Sequence, residues 1–212
     1  MLYISIHRFD EGKFYPGQAG AHTRIGEGDG KGFNVHFPFN VNAKQNPIVG
    51  DKDYIFACES VFFPIIKEFS PDLLIISAGF DSALGDPLGQ IGVSPAGYAY
   101  MTWGLRNLCQ KTAVILEGGY DLEALERSSE AVIKTLLVNP TDNDGFNNLL
   151  AELTGKSGFT RQMFESESLS DVRESFRQTA SKVAKVHSKH WPILKHLIVE
   201  KVRSRRGSGI SS

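Results

Sequence analysis

Two short apolar runs, Leu73-Leu74-Ile75-Ile76 and Thr112-Ala113-Val114-Ile115-Leu116, constrain the fold most. Each has the length and continuity of a strand covered on both faces. The first is expected over Asp72–Ser77, the second over Thr112–Leu116. Each leads through a loop into a helix-compatible segment. Ser94–Cys109 opens on Ser94-Pro95, an N-cap followed by proline at the first helical position. A further helix is expected over Asp121–Leu137. Strand–helix–strand–helix alternation predicts an α/β fold with a mostly parallel sheet flanked by helices.

The flanking segments are less regular. Leu2–Ile6 reads as a short buried strand, and a domain rarely starts flush with one, so Met1 is expected to lie inside a larger fold. Arg8–Gly32 is a long glycine-rich loop, and a loop of that length is usually functional or disordered. Its alternating Gly26, Gly28, Gly30 and Gly32 lack the Lys-Ser/Thr of a phosphate loop and the strand-to-helix context of a dinucleotide fingerprint. They are expected to supply unusual backbone angles. Phe33–Phe39 can extend, and Tyr54–Phe69 has helical apolar spacing that Pro64 should kink. After Pro140 the chain turns polar. Residues 139–167 are expected as a linker, and 168–212 as a helical extension in which Pro192 starts, breaks or kinks a helix. The basic Lys201–Arg206 tail is expected to be a frayed, disordered terminus.

Composition excludes several classes. The chain of 212 residues has a net charge of −1, without the clustered basic surface that direct nucleic-acid binding needs. No run of 18 apolar residues suggests a membrane span, and no signal peptide is expected. Cys58 and Cys109 are too few for a disulfide framework and read as buried free thiols.

In open α/β sheets, ligands bind at the carboxyl ends of strands. Two loops lie there: Ala78-Gly79-Phe80-Asp81 through Gly85-Asp86-Pro87-Leu88-Gly89, and Glu117-Gly118-Gly119-Tyr120. A carboxylate and a phenol at neighbouring strand ends suit a metal and an oxyanion. An Asp after a strand is also a common cap or turn former, and on the residues alone both readings stay open.

These loops resemble consecutive signatures of the class II, zinc-dependent histone deacetylases. The matching residues are Ser77-Ala78-Gly79-Phe80-Asp81, Gly85-Asp86-Pro87-Leu88-Gly89 and Leu116-Glu117-Gly118-Gly119-Tyr120. Ser5-Ile6-His7-Arg8-Phe9, Phe14-Tyr15-Pro16-Gly17 and the glycine ladder ending in Gly32-Phe33-Asn34-Val35 match in the same order. The resemblance covers residues 2–138 and implies the C-terminal half of a catalytic domain, hence part of an arginase/deacetylase-type fold.

The resemblance also implies roles. Asp81 matches one of three protein ligands to a catalytic Zn²⁺, and Tyr120 the phenol that donates to the tetrahedral oxyanion. Gly118 and Gly119 match the backbone beside the substrate stem. Tyr15 matches the aromatic wall of the acetyl-lysine tunnel, where most relatives have Phe. Ser5 and the Ile6 carbonyl match part of an inner monovalent-cation (K⁺) site, and the Phe33 carbonyl part of a second one. Leu88 stands where the polyamine-preferring relative has a glutamate. Tyr120 stands where vertebrate class IIa enzymes carry histidine. Both point to the class IIb-like or yeast class II-like branch. His7 is expected to be structural, Glu117 a hydrogen-bonding scaffold group, Asp86 part of a turn, and His187-x-x-His190 a surface pair without a third ligand.

The family's remaining ligands come from an Asp-x-His motif, and its proton-transfer groups from a His-His pair. Neither motif occurs in this sequence. The chain alone is therefore expected to be inactive and poorly stable, with sheet edges and apolar faces exposed. The activity implied is deacetylation of acetyl-lysine in histones or other proteins, in the nucleus or cytoplasm, with a co-repressor complex as a possible partner. Two alternatives stand beside it: a non-catalytic interaction domain derived from the enzyme, and an acetylpolyamine amidohydrolase.

Overall fold

The structure, a computed structural model, describes residues 1–41 and 48–198. They form two compact units, each threaded by more than one stretch of chain. The Lys201–Arg206 tail lies outside the described residues. No helix among the described residues is long and apolar enough to cross a membrane.

The first unit takes Met1–Asn40, Glu59–Phe69 and the chain from Arg173 onward. Strand β1 (Tyr3–Arg8) pairs in parallel with β2 (Asn34–Phe39), Ser5 opposite His36 and His7 opposite Pro38. The connection between them contains three short 3₁₀ turns, and Gly26, Gly28 and Gly32 take positive φ of 93°, 53° and 94°. The glycine ladder thus supplies the backbone angles expected of it. Helix α7 (Glu174–His187) lies on β2, where Phe176 packs 5.5 Å from Phe37 and 5.2 Å from Phe39 between ring centroids. Pro192 opens a 3₁₀ turn, as one of its expected effects.

His187 is fully buried on the inner face of α7, so it is core, not surface. The motif spacing misled because Ala180, Val183, Ala184 and His187 share one helical stripe. Neither ring nitrogen has a hydrogen-bond partner among the described residues. The nearby Gly32 carbonyl already accepts from Trp191 Nε1 at 2.8 Å. Burial, then His190, pushes the His187 pKa down to about 4; burial, then His7, does the same to His36. Both histidines fold neutral, whereas the unfolded chain takes up protons near pH 6.5. Stability of this unit is therefore full above that pH and falls as pH drops towards 4. At pH 5 the expected loss is on the order of 2 kcal/mol per histidine. Denaturant titrations followed by Trp191 fluorescence in a Trp103→Phe background check this. A midpoint unchanged between pH 7 and pH 5 would refute it.

The second unit takes Val41–Cys58 and Ser70–Val172. Strand β3 (Leu74–Ala78) pairs in parallel with β4 (Thr112–Leu116), Ile76 opposite Val114. Helix α3 (Pro95–Leu108) begins where Ser94 Oγ accepts from the Gly97 N–H at 3.2 Å. Helix α4 (Leu122–Leu137) begins where Asp121 Oδ1 accepts from the Ala124 N–H at 2.8 Å. Both starts fall where the capping residues put them. The expected kink is a π-helical stretch, Cys58–Phe62, through which the chain passes from α1 (Asp51–Ala57) of this unit to α2 (Phe63–Phe69) of the first. Pro64 has no N–H for the regular helical ladder, which accounts for the widened turn before it. Cys58 and Cys109 are both buried and free.

Two further expectations need correction in this unit. The stretch 139–167 contains helix α5 (Asn143–Thr154) and most of α6 (Arg161–Ser170) rather than a linker. Phe146, Leu149 and Leu150 recur at helical spacing, and Phe146 stacks on Trp103 of α3 at 4.3 Å with rings nearly coplanar. One apolar stripe suffices to dock a largely polar helix. The β3–β4 pair, read as strands covered on both faces, leaves one face open, with Ile75 58% and Ile115 49% exposed. This is the exposed apolar face that half a parallel sheet presents.

Candidate functional site

The loops after β3 and β4 extend the parallel pairing past the strands. The Glu117 N–H donates to the Ala78 carbonyl at 3.1 Å, and the Phe80 N–H to the Gly118 carbonyl at 2.7 Å. This brings Asp81 beside Gly118. A methyl group built on Gly118 would come within 3.2 Å of the Asp81 carboxyl carbon, and one on Gly79 within 3.1 Å of its Oδ1. The two glycines keep that carboxylate clear of side chains. Gly119 has φ of 140°, and a side chain there would press on Phe80 and Leu125. Glycine is required at this corner on both counts.

Asp81 is half-buried. Burial, and then the neighbouring Asp86 carboxylate, raises its carboxyl pKa above the ordinary value. An anion in that setting is stabilised by a cation. Its loop is braced from α3, where Tyr98 packs on Phe80 with ring centroids 5.1 Å apart and its hydroxyl lies 2.7 Å from Ser82 Oγ. Burial raises the Tyr98 phenol pKa as well. Sequence reading saw Tyr98 only as a helix residue.

Asp86 is 5% exposed, and its carboxylate accepts three backbone N–H groups. Oδ1 takes Leu88 at 2.8 Å and Gly89 at 2.9 Å, and Oδ2 takes Tyr120 at 2.8 Å. The turn assignment for Asp86 is correct, since an Asp bonding two and three residues ahead is legible from Asp-Pro-x-Gly chemistry. The bond to Tyr120 has no local signal. Tyr120 and Leu88 project into solvent, 61% and 54% exposed. Glu117 is exposed, and its side chain has no hydrogen bond to a described residue, so only its backbone serves as scaffold.

Asp81, Leu88, Gly118, Gly119 and Tyr120 thus share the strand-end loops of the second unit. Tyr15, Ser5, Ile6 and Phe33 belong to the first unit. Tyr15 is 88% exposed. Ser5 Oγ lies 2.8 Å from His7 Nδ1, and His7 Nε2 lies 2.9 Å from the Gly20 carbonyl, so His7 is structural. The Phe33 carbonyl accepts from the Tyr3 N–H at 2.8 Å, which leaves one lone pair for a cation. Among the described residues, no three His, Cys, Asp or Glu side chains converge in a way that could hold a metal ion.

Comparison with known proteins identifies the family. Residues 1–136 match the histone deacetylase domain. Histone deacetylase 15 of Arabidopsis thaliana is 51% identical over 145 residues, covering 68% of this chain and 25% of that protein. Histone deacetylase HDA1 of Saccharomyces cerevisiae is 39% identical over 193 residues, covering 90% of this chain and 24% of that protein. The crystal structure of the HDA15 HD domain superposes with a TM-score of 0.72 at 39% identity, covering 95% of this chain and 47% of that one. The chain therefore spans a quarter of these curated relatives and about half of the solved domain. Its parallel strands and flanking helices are part of the arginase/deacetylase-type fold. The chain belongs to the histone deacetylase family, in its class II, HDA1-like branch.

Proposed function

We propose that this chain supplies the C-terminal part of a zinc-dependent deacetylase site acting on acetyl-lysine in histones or other proteins. The observation that carries the reading is the pairing of Asp81 and Tyr120 on adjacent strand-end loops, with Gly118 and Gly79 keeping the carboxylate clear. The donor set fits zinc in part. Asp81 is an oxygen ligand in an environment that disfavours an uncompensated negative charge. One carboxylate does not make a zinc site, so the rest of the ligands and the proton-transfer histidines are assigned to the complementary part of a deacetylase domain. Zinc bound by that set supplies Lewis-acid polarisation of the acetamide and a more acidic water.

The chain's own residues do the following in this proposal. The Tyr120 phenol donates a hydrogen bond to the oxyanion as it forms. Gly118 and Gly119 let the backbone run close to the substrate stem. The Tyr15 ring, in the first unit, is assigned as an aromatic substrate contact. Ser5, the Ile6 carbonyl and the Phe33 carbonyl take part in monovalent-cation (K⁺) sites. A site of this kind serves in the nucleus or cytoplasm, alone or in a co-repressor complex.

Coexpression with the N-terminal part of a histone deacetylase domain tests the reading. The combination is expected to turn over an acetyl-lysine peptide, to lose that activity to a chelator and to regain it with zinc. No turnover and no stoichiometric zinc in the combination would favour a non-catalytic interaction domain.

Leu88 offers a test of substrate class. An apolar, exposed residue at the rim has no charge with which to attract a polyamine. Leu88→Glu is expected to shift the acetylspermidine-to-acetyl-lysine ratio of kcat/KM upward by up to about fivefold, the worth of one exposed charge pair. The shift should shrink at high salt. A ratio that stays fixed removes Leu88 from specificity.

A further inference from the structure

We infer that Asp86 is a positioning residue that sets where the Tyr120 phenol stands relative to Asp81. The inference rests on the reading of Tyr120 as oxyanion donor. Asp86 touches neither reacting atoms nor metal in this scheme. It acts through the backbone, because its one buried carboxylate joins the loop that carries Asp81 to the loop that carries Tyr120. Two of its three N–H partners, Leu88 and Gly89, lie in its own turn, and the third is Tyr120 itself. The link bridges 34 residues of sequence. The Phe80-to-Gly118 hydrogen bond pins the near side of the same two loops. With both in place, the corner at Gly119 is fixed on either flank. The N–H groups of Gly119 and Asp121 have no acceptor among the described residues, so Asp86 is the anchor of the Tyr120 backbone.

The two oxygens divide the work, and this makes the role separable. In Asp86→Asn the amide oxygen can stay on Leu88 and Gly89, preserving the turn. The amide NH₂ then faces the Tyr120 N–H, donor against donor. The variant releases the Tyr120 loop while keeping the rest of the clamp.

Amide hydrogen exchange on the full chain reads the clamp without any turnover. In the wild type, the Tyr120 amide is expected to exchange on the order of tenfold or more slowly than that of Gly119, as befits a hydrogen bond to a charged acceptor. In Asp86→Asn that protection should vanish while Leu88 and Gly89 keep theirs. Asp121→Asn, which alters the neighbouring cap of α4, should leave Tyr120 protected. A wild-type Tyr120 amide as fast as Gly119 while α4 stays protected would overturn the inference, and this comparison needs no variant to fold. So would Tyr120 protection that survives Asp86→Asn.

Turnover in the combined domain separates positioning from scaffolding. Asp86→Asn is expected to lower kcat about tenfold with KM nearly unchanged, and to cost little more in a Tyr120→Phe background. Equal losses in both backgrounds would reduce Asp86 to a structural residue and overturn the role. If Tyr120→Phe alone keeps full turnover, the oxyanion reading has failed, and exchange still reports on the clamp.

Discussion

Asp81→Asn is expected to cut acetyl-lysine turnover by about 10³-fold or more and to abolish stoichiometric zinc in the combined domain, since the proposed metal supplies several kcal/mol of transition-state stabilisation. Asparagine keeps the shape and one oxygen, but its neutral carbonyl is a far weaker ligand. Loss of fold is not the expected cause. In the chain alone, burial and the Asp86 carboxylate both act against the Asp81 charge. Removing that charge should leave the thermal midpoint unchanged or slightly higher. Zinc content, turnover and melting temperature of one variant therefore give three readings with different signs. Turnover within tenfold of wild type would remove Asp81 from the metal site, and a large fall in melting temperature would mark it as a structural residue.

The elements around this site were legible because their boundaries are written in local chemistry. Ser94-Pro95 and Asp121 fix two helix starts through side-chain caps, and the short apolar runs fix two strands. What local patterns could not give was tertiary. Helices α5 and α6 lie in a polar stretch, and their identity depends on a few residues such as Phe146 finding Trp103. His187 reads as polar in any window, yet the stripe it shares with Val183 and Ala184 carries it inside. The open face of β3–β4 follows from what is not paired with it, which no run of residues states.

The same division holds within the site. Asp81 and Tyr120 are found by position, at carboxyl ends of parallel strands, and their roles come from family resemblance. Asp86 shows the limit most clearly. Its turn to Leu88 and Gly89 is local and readable, while its bond to Tyr120 appears only when two loops meet. Tyr98 braces the Asp81 loop in the same non-local way.

Tyr120→Phe is expected to lower kcat by roughly 10²- to 10³-fold with little change in KM, the usual effect of removing one oxyanion donor. The geometry makes this a clean deletion. The ring is mostly exposed, and its hydroxyl makes no hydrogen bond to a described residue, so its loss leaves no buried group unpaired. The Tyr120 N–H still reaches Asp86, so the loop keeps its place when only the hydroxyl is gone. Stability and zinc content should therefore match wild type, and the retained zinc distinguishes this variant from Asp81→Asn. Tyr120→His carries a donor on a shorter side chain, and turnover well below wild type is expected there too, because an oxyanion donor acts only within hydrogen-bond reach of the oxygen. If Tyr120→Phe retains more than about a tenth of wild-type kcat, the phenol is not the principal oxyanion donor. The exposed Tyr120 ring would then be a substrate contact, visible as a change in KM instead.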